Sequence, residues 1–297
     1  MPQKIILYLG GGAMAGVFSG GVLTRLEELD FYDRIQAIYA GSVGAMNASY
    51  FLSRQTKLGA SIYFDDLPHN FVLPYNIPIG ILKLIWRKYI RRIPRDDTSY
   101  SINIDHVIDL ISNKKPIIQD KVKNQEIDFY IKVLNTRTGR VVYVDTKNHN
   151  LISVLRASSC CAPHYPFSEN IDGDECIDGT IAEPIGLQYL LDLYPEHKIV
   201  VVVNNFLKRK FSHSLRCFAE GIVGQLCDYP LFRAYVGREP SLRHDLKLAL
   251  SNPRVLLICP PEGCPAIAMT TDRDKLIKAF EVGKQMANKI GDFYSNT

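Results

Sequence analysis

The sequence holds no run of about 18 consecutive apolar residues, so it offers no segment able to cross a bilayer as a helix. Its first apolar run, Ile5–Leu9, is too short for the hydrophobic part of a secretion signal and leads straight into Gly10-Gly11-Gly12. Cysteine and histidine pairs at metal-ligand spacing are also lacking. The seven cysteines, Cys160, Cys161, Cys176, Cys217, Cys227, Cys259 and Cys264, are odd in number, and several lie in apolar runs. That pattern speaks for reduced thiols packed as small hydrophobes and against a disulfide framework. Excess charge of one sign is scarce: 35 basic against 31 acidic residues leave +4, too little to mark a nucleic-acid binder but compatible with an anionic surface where the charge clusters. Repeats and low-complexity tracts are missing as well, which excludes solenoids and disordered linkers. What remains, 46% hydrophobic and 22% charged residues, suits a soluble, cytoplasmic protein with a sizeable core and no staples.

The most informative stretch runs from Ile35 to Phe51. A short apolar run rich in β-formers passes through Gly41-Ser42-Val43-Gly44 into Ala, Met and Asn at helical spacing, which reads as strand, tight turn and helix. Ser42 stands at the apex. There a hydroxyl projects from the carboxyl edge of a sheet, beside small residues and above a helix N-terminus that favours developing negative charge, as in a nucleophile elbow. The usual first glycine of that elbow is Ala40 here. The plainer reading, Ser42 as a helix N-cap, remains open at this point.

Upstream, Ile5–Leu9 reads as a buried strand followed by the loop Gly10-Gly11-Gly12-Ala13-Met14-Ala15-Gly16. Phe18, Val22, Leu26 and Leu29 then mark an amphipathic helix. Strand, helix and strand in this order imply parallel neighbours with a right-handed crossover, so the glycine loop and Ser42 share one sheet edge. Three readings compete for the loop. Gly10-x-Gly12-x-x-Ala15 meets the relaxed dinucleotide fingerprint, although the acidic residue wanted at the end of the second strand is missing. The N–H groups of Gly12 and Ala13, joined by that of Val43, would equally form an oxyanion hole. The third reading is a turn that lets helix and strand pack closely.

From about residue 65 to 100 the pattern turns proline-punctuated, apolar and basic, and reads as an insertion. Within Ile79–Arg92, residues Ile79, Leu82, Ile85, Trp86, Tyr89 and Ile90 fall on one helical arc, with Lys83, Arg87 and Arg91 opposite. It is expected either to pack its apolar face into the domain or to lie on an anionic membrane surface as a peripheral contact. Beyond it come a helix near Asp105–Ser112, a hairpin of strands Ile127–Leu134 and Arg140–Val144, and a segment of small residues, Ser158-Ser159-Cys160-Cys161-Ala162-Pro163. A brief strand then ends at Asp178-Gly179, ordinarily simple turn chemistry. A helix near Pro184–Leu193, a strand Lys198–Val203, helical regions about Ser212–Cys227 and Leu242–Leu250, a strand Arg254–Cys259 and a helix Asp272–Ile290 complete the chain. The alternation predicts one three-layer α/β/α domain over residues 1–297 with a central, mostly parallel sheet.

Taken together and in order, the glycine loop, the Ser42 elbow, the Ser158–Pro163 segment and Asp178-Gly179 resemble the patatin-like phospholipase family. The resemblance implies a lipid acyl hydrolase working through a Ser–Asp dyad, with Ser42 as nucleophile and Asp178 as base. It maps the oxyanion loop onto Gly11-Gly12-Ala13-Met14-Ala15-Gly16, beside Val43. Such chemistry needs no cofactor and no metal, and its partner is a phospholipid or other lipid ester. Ala13 replaces a family glycine and Ala15 a basic residue, which keeps a lipid-binding protein of weakened activity as the alternative. His164 is the one histidine near these motifs, with packing as its expected role.

Overall fold

The computed structural model describes residues 3–73, 77–89, 100–205, 218–223 and 231–295, with backbone only at 87–89. The eight strands are β1 (Ile5–Leu9), β2 (Ile35–Gly41), β3 (Asp128–Asn135), β4 (Val141–Asp145), β5 (Glu169–Ile171), β6 (Asp174–Asp178), β7 (Ile199–Val202) and β8 (Val255–Ile258). They join in one sheet along the path β5-β6-β3-β2-β1-β7-β8, with β4 also on β3. From β3 to β8 that path is parallel, whereas β4 and β6 run antiparallel to β3.

The helices are α1 (Val17–Glu28), α2 (Val43–Leu52), α3 (Thr56–Ser61), α4 (Leu67–Asn70), α5 (Ile77–Tyr89), α6 (Ile104–Asp109), α7 (Gln119–Lys123), α8 (Leu151–Ala157), α9 (Leu187–Leu193), α10 (Phe232–Ser251) and α11 (Arg273–Ser295). They cover both faces of the sheet. Alternation along β1 explains why: Ile5, Leu7 and Leu9 join Phe18, Val22, Phe51 and Leu276 in one core, while Ile6 and Tyr8 join Leu187, Leu190, Leu242 and Ala249 in a second. The expected three-layer α/β/α architecture is thus present, and the fully apolar strands follow from a sheet buried on both sides.

Helix α11 lies against α1, and glycines set their distance. A Cβ on Gly21 would overlap the carbonyl oxygen of Phe280, and one on Gly283 would overlap that of Phe18. Because α1 leads directly out of the glycine loop, this backbone-to-backbone crossing fixes where the loop sits.

One expectation changes, and one open alternative is narrowed. Helix α10 begins ten residues before the expected Leu242 and contains Pro240. Burial of Tyr235, Glu239 and Leu242 on one face holds it together where propensity alone would end it. Helix α5 turns Gly80 and Leu84 inward and leaves Ile79, Leu82, Ile85 and Trp86 exposed, so the apolar arc does not enter the core. Lys83 instead lies half-buried, its Nζ 6.0 Å from the centre of the Tyr100 ring. Residues 90–92 of that segment, most of the expected helix at 212–227, and Cys217 and Cys227 lie outside the described residues, in which Cys176, Cys259 and Cys264 are free thiols. No helix among the described residues is long and apolar enough to cross a membrane.

Candidate active site

The register of β3 brings the two key residues together. Strand β2 ends with Gly41 opposite Lys132, and β6 ends with Asp178 opposite Val133. Strand β4 already occupies the other edge of β3 at Val133 and Leu134. The ends of β2 and β6 therefore meet on consecutive residues of one edge, and Ser42, next after Gly41, arrives beside Asp178. This is a non-local juxtaposition of residues 136 positions apart, made by hydrogen-bonded pairing rather than by loop packing.

Ser42 has φ 54° and ψ −133°, a strained conformation for a residue with a side chain. The strand, tight turn and helix expected around Ser42 are present. Gly44 makes the turn feasible, since a Cβ there would overlap the Leu9 carbonyl oxygen and come 2.7 Å from that of Gly10. The Ser42 amide donates to Ser158 Oγ at 2.8 Å, and Ser158 Oγ donates to the Lys132 carbonyl at 2.8 Å. The strained turn is thereby tied to β3.

Asp178 is 2% exposed. Its Oδ1 accepts from the Thr180 amide at 2.8 Å and from Thr180 Oγ1 at 2.7 Å, and its own amide donates to the Cys160 carbonyl. Both Thr180 bonds fall on one oxygen, which leaves Oδ2 for Ser42. Burial raises the carboxyl above the usual aspartate range; the bonds from Thr180 and the Ser42 side chain, and the Arg238 charge, pull it back.

In the glycine loop, Asn204 Nδ2 donates to the carbonyls of Gly10 (2.7 Å) and Gly11 (3.3 Å), while its Oδ1 accepts from Ser19 N near the start of α1. One side chain thus fixes loop and helix start together. A Cβ on Gly11 would lie 3.1 Å from that of Ser42. Ala13 has φ 49°, a left-handed conformation that accounts for glycine as the family's residue there. The amides of Gly11, Gly12, Ala13 and Val43 donate to no partner among the described residues. Ala15 is 1% exposed, so a long basic side chain at this position has no room without moving the loop.

A cavity of about 200 Å³ opens on Ser42 and Asp178. Val43, Met46, Asn47 and Tyr50 line it, the i, i+3, i+4, i+7 face of α2, so it follows that helix for about 10 Å at 1.5 Å per residue. Leu67, Phe71, Val107 and Ile111 add an apolar wall, and His164, Glu220 and Arg238 add charge and polarity. His164, expected to pack, faces this cavity, with Nδ1 2.9 Å from Ser101 Oγ and Nε2 3.4 Å from Glu220.

Fold and site define a class. Residues 7–191 match the model of the family described as patatin-like phospholipase, and the chain belongs to that family. Lipid acyl hydrolysis is the chemistry of this class, and the order of motifs in the sequence had pointed to it; the dinucleotide reading of the glycine loop falls away. Across 95% of its length the chain is 22% identical to the uncharacterized protein YjjU of Escherichia coli K12, of which it covers 76%. Among solved structures it is similar to VipD from Legionella pneumophila, with a TM-score of 0.48 and 13% identity over 98% of this chain and 67% of that one. It is also similar to ExoU, a type III effector of Pseudomonas aeruginosa, with a TM-score of 0.44 and 12% identity over 99% of this chain and 54% of ExoU.

Sequence reasoning gave no role to Ser158, Thr180, Asn204, Lys132 or Arg238. Lys132 had the clearest signal, a lone cation inside the apolar strand Tyr130-Ile131-Lys132-Val133-Leu134. It is fully buried, and its Nζ donates to the carbonyls of Glu183 (2.9 Å) and Ile185 (2.6 Å) and pairs with Glu183 Oε1 at 3.0 Å. Burial lowers its pKa, and the Glu183 charge opposes that. It pins the segment that follows Asp178.

Proposed function

We propose that this protein is a serine-type lipid acyl hydrolase using Ser42 as nucleophile and Asp178 as general base. The observation that supports this most is the meeting of β2 and β6 on β3, which sets a strained serine beside a buried carboxylate with one oxygen already engaged. Ser42 Oγ attacks the ester carbonyl carbon while its proton passes to Asp178 Oδ2. The carbonyl oxygen becomes an oxyanion facing the amides of Gly11, Gly12, Ala13 and Val43. Collapse breaks the bond to the alcohol oxygen, which takes the proton from Asp178 and leaves, with the acyl group on Ser42. Water then attacks the acyl-enzyme, gives a proton to Asp178, and the carboxylic acid departs as Ser42 regains its hydrogen. The acyl chain lies along α2 in the apolar cavity. Labelling with a fluorophosphonate tests the assignment: wild type is expected to react and Ser42→Ala not to, and labelling that survives the substitution sinks it.

Peripheral membrane contact through Ile79–Arg92 belongs to the same reading. Its support is the outward face of α5, where Leu82 is 66% and Trp86 54% exposed, in a segment, Ile79–Arg92, that contains five basic residues and no acidic one. An enzyme drawing substrate from an anionic lipid surface needs such a face.

A further inference from the structure

The cavity that follows α2 has a definable far end. Of the α2 residues on its wall, Val43 adjoins Ser42 and Tyr50 lies farthest away, about 10 Å along the axis at 1.5 Å per residue. Three contacts fix Tyr50 there. Its hydroxyl donates to the Lys115 carbonyl at 2.5 Å, its own carbonyl accepts from the Gln55 amide at 2.8 Å, and a Cβ on Gly59 would lie 2.5 Å from its ring. Lys115 is held in turn, with Nζ 2.6 Å from Asp66 and 2.7 Å from Ser61 Oγ. The ring is therefore a fixed stop, and at 3% exposure it does not let the cavity out to solvent beside it. Polar atoms along this wall are engaged within the protein: Tyr63 donates to Asn47 Oδ1 at 3.1 Å, and Asn47 Nδ2 donates to the Gly16 carbonyl at 2.8 Å and to Ser19 Oγ at 3.0 Å. Such a lining suits a hydrocarbon chain and offers it no hydrogen bond.

We propose that Tyr50 is the end stop that measures the acyl chain, so that selectivity grows with each carbon up to a medium-length chain and then stops growing. The inference rests on the hydrolase reading above and names the acyl class that the same site selects. Its logic is one of length. An extended chain built from carbon–carbon bonds of about 1.5 Å advances roughly 1.25 Å per carbon, so a 10 Å run from Ser42 holds about eight carbons. Helical side chains lean toward the N-terminus, which brings the Tyr50 ring back toward Ser42 and leaves no more than that axial length. A chain longer than this must fold back to the cavity mouth, where its extra carbons gain no contact with the α2 wall. Each methylene that does fit is worth up to about fourfold in selection, the equivalent of its burial.

The test uses the full chain and p-nitrophenyl esters of straight-chain acids with four, six, eight, ten and twelve carbons. Wild-type kcat/KM is expected to rise by up to about fourfold per carbon from four to eight and by less than about twofold in all from eight to twelve. Tyr50→Leu should raise the twelve-to-eight ratio by about tenfold or more, whereas Tyr50→Phe, which keeps the ring, should keep the wild-type ratio. Met46→Phe obstructs the same wall one turn earlier and should move the limit to fewer than about six carbons, which reads the stop even if Tyr50→Leu does not fold. A wild-type rise that continues to twelve carbons, a folded Tyr50→Leu with the wild-type ratio, or a Met46→Phe with the wild-type limit overturns the proposal. Calorimetric binding of 1-hexanol, 1-octanol and 1-decanol reads the cavity without turnover. Affinity should climb from hexanol to octanol and level off at decanol; equal steps throughout, or no binding of any of the three, also overturn it. Binding that levels off while no ester is hydrolysed refutes the hydrolase reading and leaves the stop standing.

Discussion

Replacing Asp178 by asparagine turns one carboxylate oxygen into an amide nitrogen and changes almost nothing in shape. The retained Oδ1 still accepts from the Thr180 amide and hydroxyl at 2.8 and 2.7 Å, so the turn should hold. The other atom now presents N–H to Ser42, which loses its proton acceptor. Loss of a general base typically costs about 10²- to 10⁴-fold, equivalent to roughly 3–5 kcal/mol in the barrier. Stability should move the other way. Burial raises the pKa of Asp178, so the folded chain binds this proton more tightly than the unfolded chain does. Above the raised pKa the buried charge therefore costs stability, and the cost fades as pH falls through it toward the unfolded value. A neutral amide escapes that cost, so Asp178→Asn should melt at or above the wild-type temperature at neutral pH, with the difference vanishing in acid. Turnover of a short-chain soluble ester and thermal melts across that pH range measure both. The double variant with Ser42→Ala should be no slower than the slower single variant, because the two residues act as one unit. Substantial turnover by Asp178→Asn, or losses that multiply in the double variant, would falsify the dyad.

Activity of the wild type should fall in acid with a midpoint above the ordinary aspartate range, because Asp178 must be ionised to take the Ser42 proton; a midpoint at or below that range contradicts the burial argument. Lys132→Met removes a buried cation and leaves the carbonyls of Glu183 and Ile185 without their donor, while the half-buried Glu183 carboxylate keeps the bond from the Tyr143 hydroxyl, so a loss of about 1–3 kcal/mol is expected in denaturant unfolding. Gly283→Ala forces a methyl group into the Phe18 carbonyl and should cost about 2–3 kcal/mol by the same measurement, whereas an unchanged midpoint would mean that the α1–α11 crossing is loose. Serines at Leu82 and Trp86 should weaken co-sedimentation with anionic vesicles while soluble-ester turnover and melting stay as they were; unchanged sedimentation removes α5 from the membrane contact.

What the sequence disclosed was local. Period-two and period-3.6 patterns reveal β1, α1, β2 and α2, and glycines around a serine reveal the elbow, because each is dictated within a dozen residues. The pairing of Ser42 with Asp178 was available only through resemblance, since its physical cause is the register of β3 against β2 and β6. The first half of α10 escaped notice because Gly237 and Pro240 are breakers by propensity, and only the burial of Tyr235 and Glu239 outweighs them. Arg238 was hidden with it. Which face of α5 turns outward stayed open for a related reason: periodicity shows that a helix has two sides and does not say which one meets the core.

The crossing of α1 with α11 also sets a schedule. Synthesis runs from the N-terminus at about 5–20 residues per second, so every catalytic motif has left the ribosome well before residues 273–295 exist. Until they emerge, the glycine-bearing side of α1 has no backbone to rest against, and the loop that α1 anchors lacks its brace. A nascent chain can thus carry Ser42, Asp178 and the loop without yet holding them in their final arrangement. The glycine loop gains its brace only once residues 273–295 have been made.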